Sequence, residues 1–185
     1  LGRTRLPADF ASLAAEATVR RLPVMADTRV IQLAHEAPPM AEAIRALMFQ
    51  AYLVEAALLG VSDFVPLRRS ADAIAASDAL FIGIAPAGTL AAVAEVENPE
   101  PHHVHIGSLV VLPSHFRRGL GTALVKHIVG ANPSDAVTVS TGVRNQPALS
   151  LYTALGFREH RLWATDDGIP MVTLLRTPVS STPAF

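Results

Sequence analysis

Residues 109–122 read LVVLPSHFRRGLGT, in which an apolar strand runs into a proline, an arginine- and glycine-rich turn and then the start of a helix. Gly119 and Gly121 would let the backbone pass close to a ligand, because neither carries a Cβ atom. The first N–H groups of a helix have no partner within it, and the helix dipole makes that end partly positive. Arg117 and Arg118 add forked donors that suit phosphate oxygens. The stretch therefore predicts a site for an anionic group such as a pyrophosphate.

A second informative segment lies just downstream, where residues 145–157 read NQPALSLYTALGF. Asn145 suits the N-cap of a helix, and Pro147 suits its first turn, because a proline there breaks no helical hydrogen bond. Gly156 suits the end of that helix, where a left-handed backbone is common. The segment therefore predicts a short helix that carries Tyr152 near its end.

Together the two segments resemble the GNAT superfamily of acetyl-CoA-dependent N-acyltransferases. In that family, Val-x-Pro leads into an Arg/Gln-x-x-Gly-x-Gly/Ala loop, and a later helix carries Asn-x-x-Ala-x-x-x-Tyr and ends at Gly-Phe. The matching positions here are Val111, Pro113, Gly119, Gly121, Asn145, Ala148, Tyr152, Gly156 and Phe157. One position departs from the pattern, since Phe116 stands where the family usually has Arg or Gln. The resemblance covers residues 28–177, and its specific motifs lie in the second half.

The resemblance implies that the chain binds acetyl-CoA. In the family, backbone amides of the glycine loop hold the CoA pyrophosphate, and pantetheine lies between two splayed strands like a short extra strand. Those strands correspond to Leu109–Val111 and Val137–Thr141. The residues expected to bind the donor are Leu109, Val110, Val111, Arg117, Arg118, Gly119, Leu120, Gly121, Thr122 and Asn145. Asn145 is expected to cap its helix and also to contact the pantetheine arm.

Acetyl transfer to an amine also needs a proton donor and a proton acceptor. The resemblance places Tyr152 beside the CoA sulfur, and a phenol, with an ordinary pKa of about 10, can protonate a departing thiolate. A core tyrosine with a satisfied hydroxyl is the alternative. Many relatives carry a glutamate in the strand before the proline, but this chain has none there, and His105 is the nearest titratable group. His105 is therefore the predicted base, with Glu95 and Glu97 on the preceding strand as alternatives.

Other charged or titratable residues form two small groups. His102, His103 and His105 lie close together, and the last pair would share one face of a strand. No third ligand on that face is apparent from the sequence, so no metal site is predicted. Arg68 and Arg69 lie in the region where the family builds its acceptor site. They would attract an acidic acceptor, although exposed loop arginines are more often simply solvated.

Composition narrows the class of protein. The chain has 185 residues, half of them apolar, which suits one domain with a sizeable core. Its net charge is −1, so nothing indicates a nucleic-acid partner or an anionic membrane surface. No apolar run reaches the roughly 18 residues that span a bilayer. The lack of cysteine excludes disulfides, thiolate metal sites and a cysteine acyl-enzyme. We therefore expect a cytoplasmic protein in which the amine attacks acetyl-CoA directly in a ternary complex.

The resemblance implies a domain over residues 28–177, and the spacing of apolar and turn residues predicts that it is of mixed α/β (α+β) class. Predicted strands cover residues 29–35, 79–85, 90–97, 103–112, 136–141, 157–165 and 169–176. Predicted helices cover residues 38–59, 70–77 and 120–130, and a fourth follows Asn145 and ends at Gly156. This order gives a mixed, mostly antiparallel sheet of six to seven strands with helices on both faces, which is the GNAT fold.

The two ends of the chain lie outside that domain. Asp9 would cap a helix over residues 10–22 within an N-terminal extension, residues 1–27. That helix is expected to pack on the core or on a second copy of the chain, which would give a homodimer, and a frayed arm is the alternative. Residues 178–185 contain two prolines and are predicted to be a loose tail.

The favoured function is acetyl transfer from acetyl-CoA to a primary amine of a small molecule or peptide. One rival is a non-catalytic acyl-CoA-binding module, which the missing strand glutamate supports and Tyr152 opposes. Another is a nucleotide-binding α/β protein that uses Gly119 and Gly121. A Rossmann fingerprint needs a third glycine where this chain has Leu124, which argues against that reading.

Overall fold

The structure is a computed structural model that describes residues 28–178. Its strands are β1 (Val30–Gln32), β2 (Leu80–Ile84), β3 (Ala92–Glu100), β4 (His103–Val111), β5 (Ala136–Gly142), β6 (Arg158–Ala164) and β7 (Pro170–Arg176). Its helices are α1 (Pro38–Leu59), α2 (Ala71–Ala75), α3 (Leu120–Ala131) and α4 (Gln146–Ala154). Short 3₁₀ turns lie at Val65–Arg68, Pro86–Gly88 and Pro113–His115. The predicted N-terminal helix and most of the predicted tail lie outside the described residues.

Local sequence sets the ends of the helices. α1 begins at Pro38, where a missing N–H is harmless. It ends at Gly60, whose left-handed φ of 73° aims its N–H at the last carbonyls of the helix. The Ser70 hydroxyl caps α2 by accepting a backbone N–H at 3.1 Å, and the Asn145 side chain caps α4 in the same way at 3.2 Å. These four ends confirm the predicted ones, whereas α2 ends at Ala75 and α4 at Ala154, each two residues before its predicted end.

Two strands end three residues away from their predicted ends, which are residues 35 and 97. β1 covers only Val30–Gln32, because the chain turns inward soon afterwards and buries His35. The imidazole of His35 packs against Phe81, with ring centroids 4.6 Å apart. β3 continues beyond its predicted end to Glu100, since it stays paired with β4.

The seven strands form one sheet in the order β1-β2-β3-β4-β5-β7-β6. Neighbouring strands are antiparallel except for β4 and β5, which are parallel and lie on either side of α3 in the chain. A mixed, mostly antiparallel sheet of seven strands confirms the predicted fold class.

The helices cover both faces of this sheet. Phe81 and Val93 belong to the core cluster under α1 and α2, whereas the adjacent Ile82 and Ala94 belong to the cluster under α3 and α4. Because successive side chains of a strand point to opposite faces, the two helix pairs lie on opposite sides. Within residues 28–178, no helix is both long and apolar enough to cross a membrane.

Candidate active site

β4 and β5 are paired over only part of their length. The parallel ladder runs from His103 and Ala136 to Ile106 and Val139, and both strands continue beyond these residues. A gap therefore opens between their carboxyl ends, which leaves backbone groups of Leu109–Val111 without a β5 partner. This is the stretch along which the sequence analysis expected pantetheine.

A β-bulge in β4 decides which side chains border that gap. Ile106 lies opposite Val96 and Ser108 lies opposite Glu95, so the intervening Gly107 has no partner on β3. Ile106 packs under α3 and α4, whereas the hydroxyl of Ser108 bonds to α1 on the other face. The bulge thus turns a polar side chain toward α1 at the point where β4 and β5 part.

The start of α3 has the features of an anion site. Gly119 is the N-cap, with a φ of 79° that favours glycine, and no side chain of residues 28–178 caps the helix. The N–H groups of Leu120–Thr122 therefore have no partner within α3. Arg117 and Arg118 are exposed, and neither joins an ion pair among the described residues. The structure brings together the donor-loop residues that the sequence analysis named.

Asn145 links the two faces of the sheet. Its Oδ1 accepts the N–H of Ala148, which confirms the predicted cap, and its Nδ2 donates to Oε1 of Glu55 at 3.0 Å. Because α1 and α4 lie on opposite faces of the sheet, Glu55 and Asn145 must meet at the end of the sheet, beside the gap. The amide of Asn145 thus positions a carboxylate that comes from α1.

Tyr152 is buried, with 3% of its surface exposed. Its ring lies 5.5 Å from that of Phe157 within the cluster under α3 and α4. Burial raises the pKa of the Tyr152 phenol far above its ordinary value, and the charges of Glu55 and Tyr52 raise it further. The phenol therefore stays protonated at neutral pH, as a proton donor must.

Glu55 lies beside the gap, bonded to Asn145, and was not among the residues that the sequence predicted for the site. It is half-buried on α1. Burial raises the pKa of its carboxyl, while hydrogen bonds from Asn145 and Thr141 lower it. A signal was present in the sequence, because Tyr52 and Glu55 are three residues apart and so share one face of a largely apolar helix.

A second polar network lies beside the gap. Tyr52 donates to Ser108 at 2.9 Å, and Ser108 donates to Glu95 at 3.2 Å. Arg69 forms a bidentate pair with Glu95 at 2.6 and 2.7 Å. Burial raises the pKa of Glu95, but the hydrogen bonds and charge of Arg69 outweigh burial and hold that pKa below its ordinary value. Burial also raises the pKa of Tyr52 to about 12.

The two loop arginines are thus already paired with carboxylates. Arg69 holds Glu95, and Arg68 bonds to Asp63 at the surface. The alternative in which both attract an acidic acceptor therefore gains no support from the structure.

The predicted base lies in the closed part of the ladder. His105 Nδ1 and His103 Nε2 are 2.9 and 2.7 Å from Oγ1 of Thr138, which confirms that the two rings share a face. Burial lowers the pKa of His105, and the charge of Glu97, its partner on β3, partly opposes this. Among residues 28–178, no group of three or more potential ligands is arranged to hold a metal ion.

A cavity of about 240 Å³ opens beside the end of β5. It is bounded by the end of α1, the connection from β5 to α4 and the β6–β7 turn. Its lining residues are Leu59, Gly60, Val61, Val143, Arg144, Asp167, Gly168, Ile169 and Pro170. The Arg144 guanidinium donates to the carbonyl of Leu59 at 3.2 Å and so fixes one wall. Arg144 directly precedes Asn145 in the chain, and Leu59 lies one turn beyond Glu55 on α1, so two of the lining residues adjoin polar residues at the gap.

The sequence of this chain is similar to a known protein family and to one curated protein. Residues 45–157 match the model of the Acetyltransferase (GNAT) family. The UPF0157 protein YqkA of Bacillus subtilis (strain 168) is 34% identical over 128 residues, which are 69% of this chain and 37% of that protein. The chain thus spans little more than a third of the length of this curated relative.

Solved structures share the fold at low sequence identity. The ribosomal-protein-S18-alanine N-acetyltransferase of Escherichia coli superposes with a TM-score of 0.63 and 19% identity, over 85% of this chain and 99% of that one. The PaiA N-acetyltransferase of Thermoplasma acidophilum, solved in complex with coenzyme A, gives a TM-score of 0.62 with 15% identity. That superposition covers 78% of this chain and 96% of the other.

Proposed function

Because the chain belongs to the acetyltransferase (GNAT) family, we propose that it transfers an acetyl group from acetyl-CoA to a primary amine of a small molecule or peptide. The amine attacks the thioester directly in a ternary complex. The observation that carries this proposal is the gap between β4 and β5, which lies near the uncapped start of α3. The coenzyme A bound to the Thermoplasma acidophilum neighbour supports the choice of donor.

In this proposal the donor is held mainly by backbone groups. The N–H groups of Leu120–Thr122 bind the pyrophosphate, and Arg117 and Arg118 add charge-assisted bonds to its oxygens. Pantetheine lies along Leu109–Val111 and pairs with the free edge of β4 as an added strand. The second N–H of the Asn145 amide remains to contact the pantetheine arm, since the first is held by Glu55.

The reaction forms one bond and breaks another. The amine nitrogen attacks the thioester carbonyl, a C–N bond forms, and the C–S bond then breaks. Tyr152, which is protonated at neutral pH, donates its proton to the departing thiolate. His105 stays the base predicted from sequence, with Glu95 and Glu97 as alternatives. The salt bridge of Glu95 to Arg69 weakens its claim, because a lowered pKa makes a poor base.

The cavity beside the end of β5 is where we place the acceptor. Its position next to Asn145 brings an amine bound there toward the gap that holds the thioester. Arg144 and Asp167 on its walls favour an acceptor that carries polar or charged groups in addition to the amine. A cytoplasmic location and a homodimer remain predictions from the sequence.

A non-catalytic acyl-CoA-binding module is the second candidate function. It is favoured by one observation, namely that β4 carries no aspartate or glutamate beside the gap. Such a module would bind acetyl-CoA through the same loop and release no product.

A screen of primary amines tests the proposal. Purified chain is mixed with acetyl-CoA and with amino acids, polyamines or peptides that have free N-termini, and CoA release is followed with a thiol reagent. The proposal predicts amine-dependent release, with an acetylated amine found by mass spectrometry. Saturable binding of acetyl-CoA without any amine-dependent release would instead identify the non-catalytic module.

A further inference from the structure

Glu55 stands at the meeting point of the groups on which the proposed reaction depends. It projects from α1, and its Oε1 is 3.0 Å from Nδ2 of Asn145 at the start of α4. The hydroxyl of Thr141, near the end of β5, also bonds to it. Both partners lie beyond the last β4–β5 pair. The carboxylate therefore lies at the end of the sheet where β4 and β5 have parted.

Glu55 differs from the other candidate bases in its partners. Its hydrogen-bond partners are the neutral groups of Asn145 and Thr141, and no ion pair among the described residues includes it. By contrast, Glu95 is bound on both oxygens by Arg69. A half-buried carboxylate without a cation attracts the ammonium group of an acceptor, because that ammonium would be its counterion.

The titratable groups around Glu55 have complementary properties. Tyr52 on the same helix and Tyr152 on α4 face it, and its charge raises the pKa of each phenol. Glu95 is connected to Tyr52 through the hydroxyl of Ser108, and its charge is neutralised by Arg69. A carboxyl whose pKa is raised by burial beside a phenol that stays protonated gives one base and one acid at the same locus.

His105 is less well placed than Glu55 to take a proton from the acceptor amine. It lies in the paired part of β4, opposite Thr138 on β5, and its Nδ1 is engaged by the hydroxyl of that residue. The gap opens only after Ile106. The cavity beside β5 is lined by Leu59, one helical turn beyond Glu55 on α1, and by Arg144, the neighbour of Asn145 in the chain, while His105 lies within the closed ladder.

We propose that Glu55 is the catalytic base, which takes one proton from the acceptor ammonium and so frees the lone pair that attacks the thioester. This inference rests on the proposed function. The proton passes from nitrogen to Oε of Glu55 and is later lost to solvent. The nitrogen forms its bond to the carbonyl carbon, the thiolate leaves with the proton of Tyr152, and the second amine proton restores that phenol. The sum is one amide, one thiol and one released proton.

The test compares pH profiles of kcat/KM for the parental chain and Glu55→Gln, using acetyl-CoA and the best amine of the screen. Glutamine still accepts the hydrogen bond of Asn145 but cannot take a proton. We expect kcat/KM to fall about 10²- to 10⁴-fold at pH 7, the usual worth of a positioned base. The acidic limb of the parental profile, set above the ordinary glutamate pKa of about 4.3, should disappear. Affinity for CoA, measured by calorimetry, should stay within about threefold, because Glu55 does not contact the donor in this scheme.

Three matched variants separate proton transfer from a structural effect. Glu55→Asp keeps a carboxylate and should keep the acidic limb with a smaller loss, whereas equal losses in the Asp and Gln variants would overturn the inference. Glu97→Gln and His105→Ala should leave the limb in place, and loss of the limb in either one would pass the assignment to that residue. A parental chain that turns over no amine would refute the proposed function itself, and that result is seen before any variant is made.

Discussion

Replacing Arg69 by methionine should destabilise the protein strongly, because it leaves the Glu95 carboxylate buried without its cation. The Glu95 side chain is only 5% exposed, and that of Arg69 is 28% exposed. Breaking a buried ion pair by removing one partner costs about 3 to 5 kcal/mol. Since Arg69 is partly solvated, we expect the lower end, about 3 kcal/mol in the free energy of unfolding. For a domain of this size that is a fall in Tm of about 6 to 12 °C.

The stability lost in Arg69→Met should depend on pH, and the pKa of Glu95 determines whether the loss grows or shrinks on acidification. In the parental chain this pKa is held below its ordinary value, so the pair stabilises the fold above about pH 4.3. That stability is lost as the pH falls through the lowered pKa of the folded state. In Arg69→Met, burial without the guanidinium raises the pKa of Glu95 instead. Acidification then protonates Glu95 and removes the cost of its buried charge. The difference in free energy of unfolding between the parental chain and Arg69→Met should therefore shrink from pH 7 toward pH 4.

Urea unfolding followed by far-UV circular dichroism at several pH values measures this difference in the free energy of unfolding. The double variant Arg69→Met/Glu95→Gln is the matched control, because it removes both charges and should recover part of the stability at pH 7. A deficit below about 1 kcal/mol that does not change with pH would contradict this expectation. It would show that the pair is solvated in the folded protein, and it would strengthen Glu95 as a candidate base.

Three further variants test other parts of the structure. Tyr152→Phe should lower kcat about 10- to 10⁴-fold in the amine assay with little change in affinity for CoA, and parental turnover would show that this phenol only packs. Gly119→Val should abolish the rise in Tm with acetyl-CoA, whereas Gly88→Val, which has a similar positive φ in the β2–β3 turn, should lower basal stability and keep that rise. Gly142→Ala should cost about 1 to 3 kcal/mol in urea unfolding, because its Cβ would overlap the leucine that ends α1. The control Gly130→Ala, whose Cβ meets open space in α3, should stabilise by less than about 1 kcal/mol, and equal effects of the two alanines would contradict this packing.

Much of the fold could be predicted from local signals. Helix ends depend on a few nearby residues, so Pro38 and Gly60 predicted both ends of α1, and Asn145 predicted the start of α4. The start of α3 could be predicted for the same reason, since it depends on the residues of one short segment. Strand ends were less accurate, because β1 ends where His35 meets a side chain of another strand.

The polar groups at the gap could not be assembled from the sequence. Glu55 and Asn145 are 90 residues apart, and Arg69 and Glu95 are 26 apart, so each contact depends on how distant elements pack. The bulge at Gly107 adds a second difficulty, because it breaks the two-residue period on which predictions of strand faces rest. For these reasons the sequence indicates His105 as the base from its position along the chain, whereas the contact of Glu55 with Asn145 is seen only in the structure.

The proposed function requires acetyl-CoA to lie between β4 and β5 with its pyrophosphate on the start of α3. Two-dimensional ¹H–¹⁵N spectra of the labelled chain, titrated with acetyl-CoA, show where the donor binds. We predict large, saturable shifts for the amides of Leu109–Val111 and Leu120–Thr122, while those of β6 at the far edge of the sheet stay in place. Shifts that leave these two segments untouched and cluster elsewhere would contradict it.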